Sequence, residues 1–569
     1  MNKIFKVVWS KTKECYVVVS EVAKNNGGKK KALASVLAGL AMVAAAGTMG
    51  TPVQAGTDLG NSSVNISPNG TLNGSNHVGS NSIVVGYQNT TDNNWGTVAI
   101  GAGNTAKENS AVAVGNGNEA TGGAAAAFGA YNKAKGRASV AIGNVSMASA
   151  DDSIAIGNRA NVDANNHDAD RGSGQFSIAV GRESWAKGTD NISIGHKAET
   201  NSSGDSIAMG RESKANQANA VAIGPQADAN GWGGIAMGRE AAVSANFGTA
   251  IGYKSNAQGS SSVAIGKNNT TTGGAGGVAI GNTNTSTGDR AISIGEKNNS
   301  NKEDTITMGT SNNANIGGGI AIGQNNLADS TVGGGRDAGN TMIAIGRENK
   351  ATAEDTVAIG RKTTASANVS VALGARSEAT GSGAIAIAGN GEGYQTSASK
   401  TGSIAIGMQS NSTGVASTAV GGVAEATEKG ASALGFKANA TAESATALGQ
   451  ESVASVKDGV ALGSHSKTSI DKGVKGFNPA ETRTNKYDGL TGNVQTSTLA
   501  AVSVGDGADA TRQITGLAAG TADSDAVNVA QLRSVNLKYA GDTGNGDVLL
   551  DNGTLKIKGD DPTFISTSA

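Results

Sequence analysis

The chain has 569 residues, of which 85 are glycine, aromatic residues make up only 3%, and the formal net charge is −1. Ordinary globular domains bury many large apolar and aromatic side chains, so this composition argues against them and leaves a disordered low-complexity chain or a repetitive solenoid. Residues 1–55 carry eight lysines and two glutamates, so the remainder has a net charge of −7 and gives no reason to expect nucleic-acid binding through bulk charge.

The N-terminal region has the pattern of a signal peptide. Three lysines at 29–31 precede an apolar stretch at 32–46 that is too short to span a bilayer, and small residues follow at 51–55. We therefore expect an export leader over residues 1–55 with cleavage after Ala55. The one cysteine, Cys15, lies in this leader, so no disulfide or cysteine-based metal site is expected in the mature chain.

A short phrase, Ser-Val-Ala-Ile-Gly, recurs with close variants from residue 82 onward, mostly at intervals of fourteen residues. The last glycine of the series is Gly463, and Ala388 takes the place of one glycine. Counted in this way there are 26 repeats, which we call rungs, and so regular a register excludes disorder. We expect the repeated glycine to be a structural hinge, as at Gly143, Gly157, Gly224, Gly266 and Gly360.

Each rung alternates large and small residues with a period of two. Val221 and Ile223 precede Gly224 with Ala222 between them, and small residues recur three and five places after the glycine. This alternation predicts two short β-strands per rung, joined at the glycine. One rung buries very little, so the rungs must stack, and their few large side chains imply that other chains cover some apolar faces.

The rungs resemble the head repeats of YadA-type trimeric autotransporter adhesins, whose phrase is reproduced word for word at 139–143 and 262–266. The resemblance implies an all-β head, a left-handed parallel β-roll of about 26 fourteen-residue rungs, assembled as a homotrimer. It also implies a neck and the start of a stalk with a short helix after the head.

A second motif, over residues 512–522 and 525–532, resembles the neck of the same family, which narrows the head onto a trimeric coiled-coil stalk. Asp525 is expected to cap the start of a helix, and Val529 and Leu532 would share one helix face. The neck residues that we single out are Gln513, Ile514, Asp525, Val529 and Leu532.

Residues 1–28 resemble the extended signal-peptide region of large autotransporters of diderm bacteria. The resemblances imply export to the cell surface and attachment to the outer membrane. The family's membrane anchor does not match any segment up to Ala569, so we expect it further along the reading frame. The expected segments are the leader at 1–55, the N-terminal segment of the mature chain at 56–81 and the head at 82–469. A connector at 470–500, the neck at 501–536 and the beginning of a stalk domain at 537–569 follow.

Three intervals between rungs are longer than the rest, and insertions in solenoids leave the stack as loops that often carry recognition. They are candidate ligand-binding loops, although neutral spacers remain an alternative. Three tryptophans, Trp95, Trp185 and Trp232, are candidate contact anchors if exposed, or packing residues at a corner. The candidate loop residues are His167, Asp170, Arg171, Arg336, Asp337 and Tyr394.

No catalytic or metal-binding pattern is present in the sequence. The four histidines are isolated, and the glycine-rich strings lack the helix that a dinucleotide site needs. We therefore expect no enzyme activity and no cofactor. The resemblance implies an adhesin that binds host matrix proteins such as collagen or fibronectin, cell-surface receptors or other bacteria. The alternative is a structural protein that self-associates in autoagglutination or biofilm cohesion.

Overall fold

The computed structural model describes residues 81–163, 175–330, 341–477 and 492–541, except positions 93, 203 and 390. It also describes short segments at 5–10, 15–20, 55–56, 64–66, 544–549 and 554. Within these residues the chain forms 26 stacked rungs of two strands each, with one short α-helix after them. The predicted all-β solenoid is confirmed.

The two strands of a rung lie on opposite sides of the hinge glycine. In the rung of Gly224 the first strand is Val221–Ile223 and the second is Asp228–Ala229. Each pairs in parallel with its equivalent in the next rung, as Val221 does with Ile235. Two parallel sheets therefore run along the stack, and their hydrogen bonds follow its long axis.

The first strands all begin three residues before the hinge position, and they lie at Ile83–Tyr87, Val98–Ala102, Val112–Asn116, Ala126–Ala130, Val140–Asn144, Ile154–Asn158, Ile178–Val180, Ile192–Ile194, Ile207–Met209, Val221–Ile223, Ile235–Met237, Thr249–Ile251, Val263–Lys267, Val278–Asn282, Ile292–Glu296, Ile306–Thr310, Ile320–Gln324, Ile343–Arg347, Val357–Arg361, Val371–Ala375, Ile385–Gly389, Ile404–Ile406, Thr418–Val420, Ser432–Leu434, Thr446–Leu448 and Val460–Leu462.

The second strands are two or three residues long, and they lie at Thr90–Thr91, Thr105–Ala106, Glu119–Ala120, Lys133–Ala134, Met147–Ala148, Asn161–Asp163, Trp185–Lys187, Glu199–Thr200, Lys214–Ala215, Asp228–Ala229, Ala242–Val243, Asn256–Ala257, Thr270–Thr271, Thr285–Ser286, Asn299–Ser300, Asn313–Ala314, Leu327–Ala328, Lys350–Ala351, Thr364–Ala365, Ser377–Ala379, Thr396–Ala398, Asn411–Ser412, Glu425–Ala426, Asn439–Ala440, Val453–Ala454 and Lys467–Thr468.

The interior of the stack is narrow and is filled by small side chains. Ala222 on the first strand and Ala229 on the second are both 0% exposed, and alanine occupies most equivalent positions in the other rungs. The large neighbours Val221 and Ile223 point the other way and are half-buried. Burying alanine removes little apolar area from water, so the backbone ladder and the outward faces carry more of the stability than in a globular core.

The hinge glycine is required by both backbone conformation and space. Gly143 has a φ of +132°, and a Cβ added to it would lie 1.9 Å from the carbonyl oxygen of Gly157 in the next rung. The same two conditions recur at Gly157, Gly224, Gly266 and Gly360, with φ between +119° and +147°. A side chain at these positions would break the contact between successive rungs.

The exception at Ala388 has a structural cause. Ala388 is absent from the residues with positive φ, whereas Gly143 in the equally long strand Val140–Asn144 has a φ of +132°. The extra residues of the insertion at 389–395 lead the chain to the next strand at Thr396. A longer connection therefore replaces the tight hinge, and alanine is tolerated.

Buried asparagines form a ladder through part of the interior. The Nδ2 of Asn118 donates to the carbonyl oxygens of Val114 at 3.0 Å and of Gly129 at 2.8 Å. Its Oδ1 accepts from the backbone and side-chain nitrogens of Asn132 at 3.0 and 2.9 Å. These contacts satisfy a polar group that would otherwise be costly to bury. The ladder members are Asn89, Asn104, Asn118 and Asn132 in one run, and Asn269, Asn284, Asn298, Asn312, Asn326 and Asn349 in another.

The two ends of the stack carry additional strands. At the N-terminal end, Val64–Ile66 pairs in parallel with Ile83–Tyr87 and antiparallel with Ala55–Gly56. At the C-terminal end, Val502–Ser503 pairs with the last first strand, Val460–Leu462.

The remaining elements lie outside the stack. Phe5–Ser10 and Cys15–Ser20 form an antiparallel pair, and Gly492–Val494 is one 3₁₀ turn. A hairpin of Asn536–Gly541 and Gly544–Leu549 follows the neck helix.

The neck contains the helix Val529–Arg533. It begins later than expected, because its N-cap is Asn528 and not Asp525. Asn528 and Gln531 form a reciprocal capping box, which satisfies two backbone N–H groups. The carboxylate of Asp525 instead accepts backbone N–H bonds from Thr521 at 2.8 Å and from Ala522 at 3.0 Å.

Candidate functional site: the outward surfaces of the head

The first outward surface consists of the large apolar side chains one and three residues before each hinge, which we call the apolar columns. They are half-buried in most rungs, and several are more exposed, such as Met209 at 40% and Leu462 at 43%. Because successive rungs keep one register, these side chains form stripes along the stack. The stripe three residues before the hinge is interrupted at Thr249, Thr418, Ser432 and Thr446. Apolar patches of this extent mark surfaces that other protein covers.

A second outward surface is a groove between the side chains two and four residues after the hinge, which we call the charged groove. Over part of the stack its charges alternate along and across the rungs, as in Lys197 and Glu199 followed by Glu212 and Lys214. The Nζ of Lys197 lies 3.8 Å from Glu183, and the Nζ of Lys254 lies 3.3 Å from Glu240 one repeat apart. Such exposed pairs contribute little to stability but set the charge pattern that a partner meets. One part of the groove is lined by Glu183, Trp185, Lys197, Glu199, Glu212, Lys214, Gln226 and Asp228.

The described part of the third insertion folds over this same groove. Tyr394 is 49% exposed and lines a depression together with Lys362 and Arg376. The carboxylate of Glu392 lies 3.6 Å from Arg376 and 3.9 Å from Arg361. The insertion is thus attached to the charged groove by ion pairs, and it places an aromatic ring beside basic side chains.

The other candidate loop residues lie outside the residues that the structure describes. These are His167, Asp170, Arg171, Arg336 and Asp337, and their place in a binding loop stays a prediction.

The three candidate tryptophans have different surroundings. Trp95 is 60% exposed and Trp232 is 43% exposed. Trp185 is partly buried, and the Nζ of Lys187 lies 3.6 Å above the centre of its ring. Trp232 has an aromatic neighbour, Phe247 in the next rung, at 4.7 Å between ring centres and an interplanar angle of 84°. Sequence analysis missed Phe247, although aligning the rungs in register would have placed it next to Trp232.

The neck exposes apolar side chains in the single chain. Ile514 and Val529 are each 65% exposed, Leu532 is 58% exposed, and Gln513 is exposed as well. Val529 and Leu532 are three residues apart on the neck helix, so they lie on one face. An apolar face of this kind needs a partner chain to cover it.

Over the described parts of the chain, no group of three or more histidine, cysteine, aspartate or glutamate side chains is arranged to hold a metal ion. No helix among those residues is both long and apolar enough to cross a membrane.

Three family models match the chain, in the order leader, head and neck. Residues 1–48 match the extended signal peptide of the type V secretion system. Repeated segments between 96 and 466 match the YadA head domain repeat, and residues 513–554 match the coiled stalk of trimeric autotransporter adhesins. The head-repeat matches alone cover about half of the chain.

One curated relative resembles part of the chain. An 88-residue stretch is 42% identical to the autotransporter adhesin BadA of Bartonella henselae. The matched stretch covers 15% of this chain and 3% of BadA, so the chain corresponds to a small part of that protein's length.

Proposed function

The chain belongs to the YadA-type trimeric autotransporter adhesins, and on that premise we propose that its head attaches the bacterium to host extracellular matrix, host cells or other bacteria. The extended signal peptide and the family support export to the cell surface, and membership of an adhesin family points to a protein without enzyme activity. Within the chain we assign the head to residues 82–469 and the neck to 501–536.

The observation that carries the proposal is the repetition of one backbone register over 26 rungs, with outward side chains that differ from rung to rung. A rigid stack presents these side chains at fixed spacing, and three copies would triple their number. Many weak contacts on one rigid body gain avidity without any single strong site. The apolar columns and the exposed neck residues supply the surfaces on which three copies would cover one another.

The test is binding of the purified trimeric protein to immobilised collagen, to fibronectin and to whole host or bacterial cells. We expect saturable binding to at least one of them, with a much slower dissociation for the trimer than for monomer prepared by disrupting the neck, for example by Leu532→Asp. An absence of binding to every surface would contradict the adhesive function. Equal dissociation of trimer and monomer would contradict the multivalent mechanism.

The charged groove favours a second candidate function, cohesion between heads. Its charges alternate along two neighbouring columns, as in Lys197 and Glu199 followed by Glu212 and Lys214. When two such grooves face each other in antiparallel orientation, Lys197 of one head meets Glu212 of the other, and Glu199 meets Lys214. The charge pattern of one groove is therefore complementary to that of a second copy. Light scattering of the purified protein should then show association that weakens as salt is added. If the protein does not associate at any salt concentration, cohesion through the groove is contradicted.

A further inference from the structure

One corner of the stack carries no charged residue over five successive rungs. It comprises the turns between the second strand of one rung and the first strand of the next, and we call it the uncharged corner. Charged residues make up 16% of the chain, and the equivalent turns on either side contain Asp205 and the pair Asp289 and Arg290. The turns of the uncharged corner are 215–219, 229–233, 243–247, 257–261 and 271–276.

Trp232 and Phe247 lie in the uncharged corner, and both rings are open to solvent. Trp232 is 43% exposed and Phe247 is 53% exposed, in a chain with only 3% aromatic residues. They lie in turns that follow the second strands, whereas the apolar columns lie on the first strands, so the two rings are not part of those columns. Two solvent-exposed aromatic rings in contact form an amphipathic surface of the kind that recurs at binding sites.

The backbone holds this pair in place. The Trp232 N–H donates to Oδ1 of Asn246 at 3.1 Å, and the Phe247 N–H donates to the Trp232 carbonyl at 2.8 Å. Phe247 has a φ of +57°, a left-handed conformation that is unfavourable for a bulky residue. The adjacent Gly233 has no side chain, and a Cβ there would lie 3.2 Å from the Phe247 ring. The backbone of the two turns therefore places the two rings side by side.

Neutral hydrogen-bonding groups surround the rings. Asn219, Asn230, Asn246, Ser260 and Ser261 are all exposed in the same turns. Amides both donate and accept hydrogen bonds, and hydroxyls do the same. None of these groups offers a charge to an ionic ligand.

We propose that the uncharged corner binds a neutral oligosaccharide. The C–H faces of pyranose rings pack against aromatic rings, and sugar hydroxyls bond to amides and hydroxyls, so both chemistries of the corner are used. An acidic glycan or a charged peptide would find no counter-ion within these five turns. The proposal rests on the adhesive function proposed above and names a class of receptor for it.

The test is a glycan array probed with the labelled trimeric protein, followed by calorimetric titration with any neutral oligosaccharide that binds. Two variants each replace one ring by the residue found at the equivalent position of a neighbouring rung in the same corner. Trp232→Asn introduces the residue of Asn246 in the next rung, and Phe247→Gly introduces the residue of Gly233. We expect each variant to weaken binding at least tenfold while the circular dichroism and the trimer stay unchanged.

The matched control is Trp95→Asn, at the equivalent position of another rung where Asp92 and Glu108 are nearby. It should bind the oligosaccharide as the unaltered protein does. The proposal is overturned if no neutral glycan binds, if only acidic glycans bind, or if Trp232→Asn and Phe247→Gly bind normally. Attachment to matrix and cells is measured in parallel. If the protein attaches but binds no neutral glycan, the glycan proposal fails and the adhesive function stands; if it does not attach at all, the adhesive function fails.

Discussion

The guanidinium group of Arg512 lies against Gly463, the hinge glycine of the last rung. A Cβ added to Gly463 would lie 2.8 Å from Cζ of Arg512, whereas a Cβ at Gly449 would meet the backbone of the following rung. Arg512 donates to Oγ of Ser466 at 2.9 Å and to the carbonyls of Ser464 and Val504. The arginine thus occupies the place at this hinge that the backbone of the next rung occupies at other hinges, while Val502–Ser503 continues the ladder of the first strands. Together they cap the stack, as terminal repeats cap other solenoids.

Replacing Arg512 by alanine should loosen the C-terminal end of the stack. The carbonyl of Ser464 and its neighbours would lose a charged hydrogen-bond donor. The free energy of local unfolding at this end should fall by roughly 1.5 kcal/mol, which makes local opening about tenfold more frequent. Hydrogen exchange of the amides in 460–468 measures this, with the rungs around Gly224 as an internal reference. Unchanged exchange in 460–468 would show that the arginine has no capping role.

Replacing Gly143 by alanine should strongly destabilise the head. The substitution combines a left-handed backbone with a clash against Gly157, and together these cost roughly 3–5 kcal/mol. Thermal unfolding followed by circular dichroism measures the loss. The matched control is Ala388→Gly, at a position where the chain makes no tight hinge. We expect it to change the free energy of unfolding by less than about 1 kcal/mol. Similar effects at both positions would contradict the hinge requirement.

Replacing Asn118 by alanine should cost more than replacing it by serine. Alanine removes the donor to the buried carbonyl of Gly129 and the acceptor of the backbone N–H of Asn132, which costs about 2–4 kcal/mol. Serine already occupies the equivalent place at Ser146, where its hydroxyl donates to the carbonyl of Gly157 at 2.6 Å and its Oγ lies 3.1 Å from the carbonyl oxygen of Ile142. Denaturation midpoints of Asn118→Ala and Asn118→Ser should therefore differ, and equal midpoints would show that the ladder adds no stability.

Replacing Val369 by asparagine should stabilise the head. Val369 is 60% exposed and has a φ of +60°, which is strained for a β-branched residue. Asparagine tolerates this conformation and occupies the equivalent position at Asn219, also at a φ of +60°. The expected gain is about 1 kcal/mol per chain, measured as a higher unfolding temperature. Val371→Asn, on the adjacent strand, should give no such gain.

The stability that Asp525 gives the neck should decline in acid. Backbone N–H bonds from Ala522 and Thr521 lower the pKa of Asp525 from its ordinary value. A carboxyl group with a lowered pKa in the folded state stabilises that state above its unfolded pKa, and the contribution disappears as the pH falls through the lowered value. The difference in neck stability between the unaltered protein and Asp525→Asn should therefore shrink below the ordinary aspartate range. A pH-independent difference would contradict this assignment.

The period of the glycines was enough to predict the rungs, the two strands in each and their parallel stacking. The direction of the side chains was harder to predict. Period-two alternation separates Val221 and Ile223 from Ala222 but does not say which face is inside. The structure puts the alanine inside, because two short strands that turn at one glycine lie too close for larger side chains.

The start of the neck helix shows a different limit of prediction from the sequence. Asp525 and Asn528 are both good N-cap residues and are three positions apart, so propensity alone does not choose between them. The pairing of Asn528 with Gln531 was a usable signal, because the second residue of a capping box stands three places after the first. The aromatic contact of Trp232 with Phe247 depended on knowing that the rungs stack without a shift in register.

The division between inward and outward positions has a consequence for how such a head changes over time. Glycine, alanine and asparagine inside the stack fix the backbone, while the outward side chains at positions such as Glu183 or Trp232 contribute little to it. Mutations at exposed positions outside the apolar columns can then alter the surface one residue at a time at little cost to folding. Whole rungs can also be gained or lost in multiples of the repeat, so length and binding surface evolve independently on one scaffold.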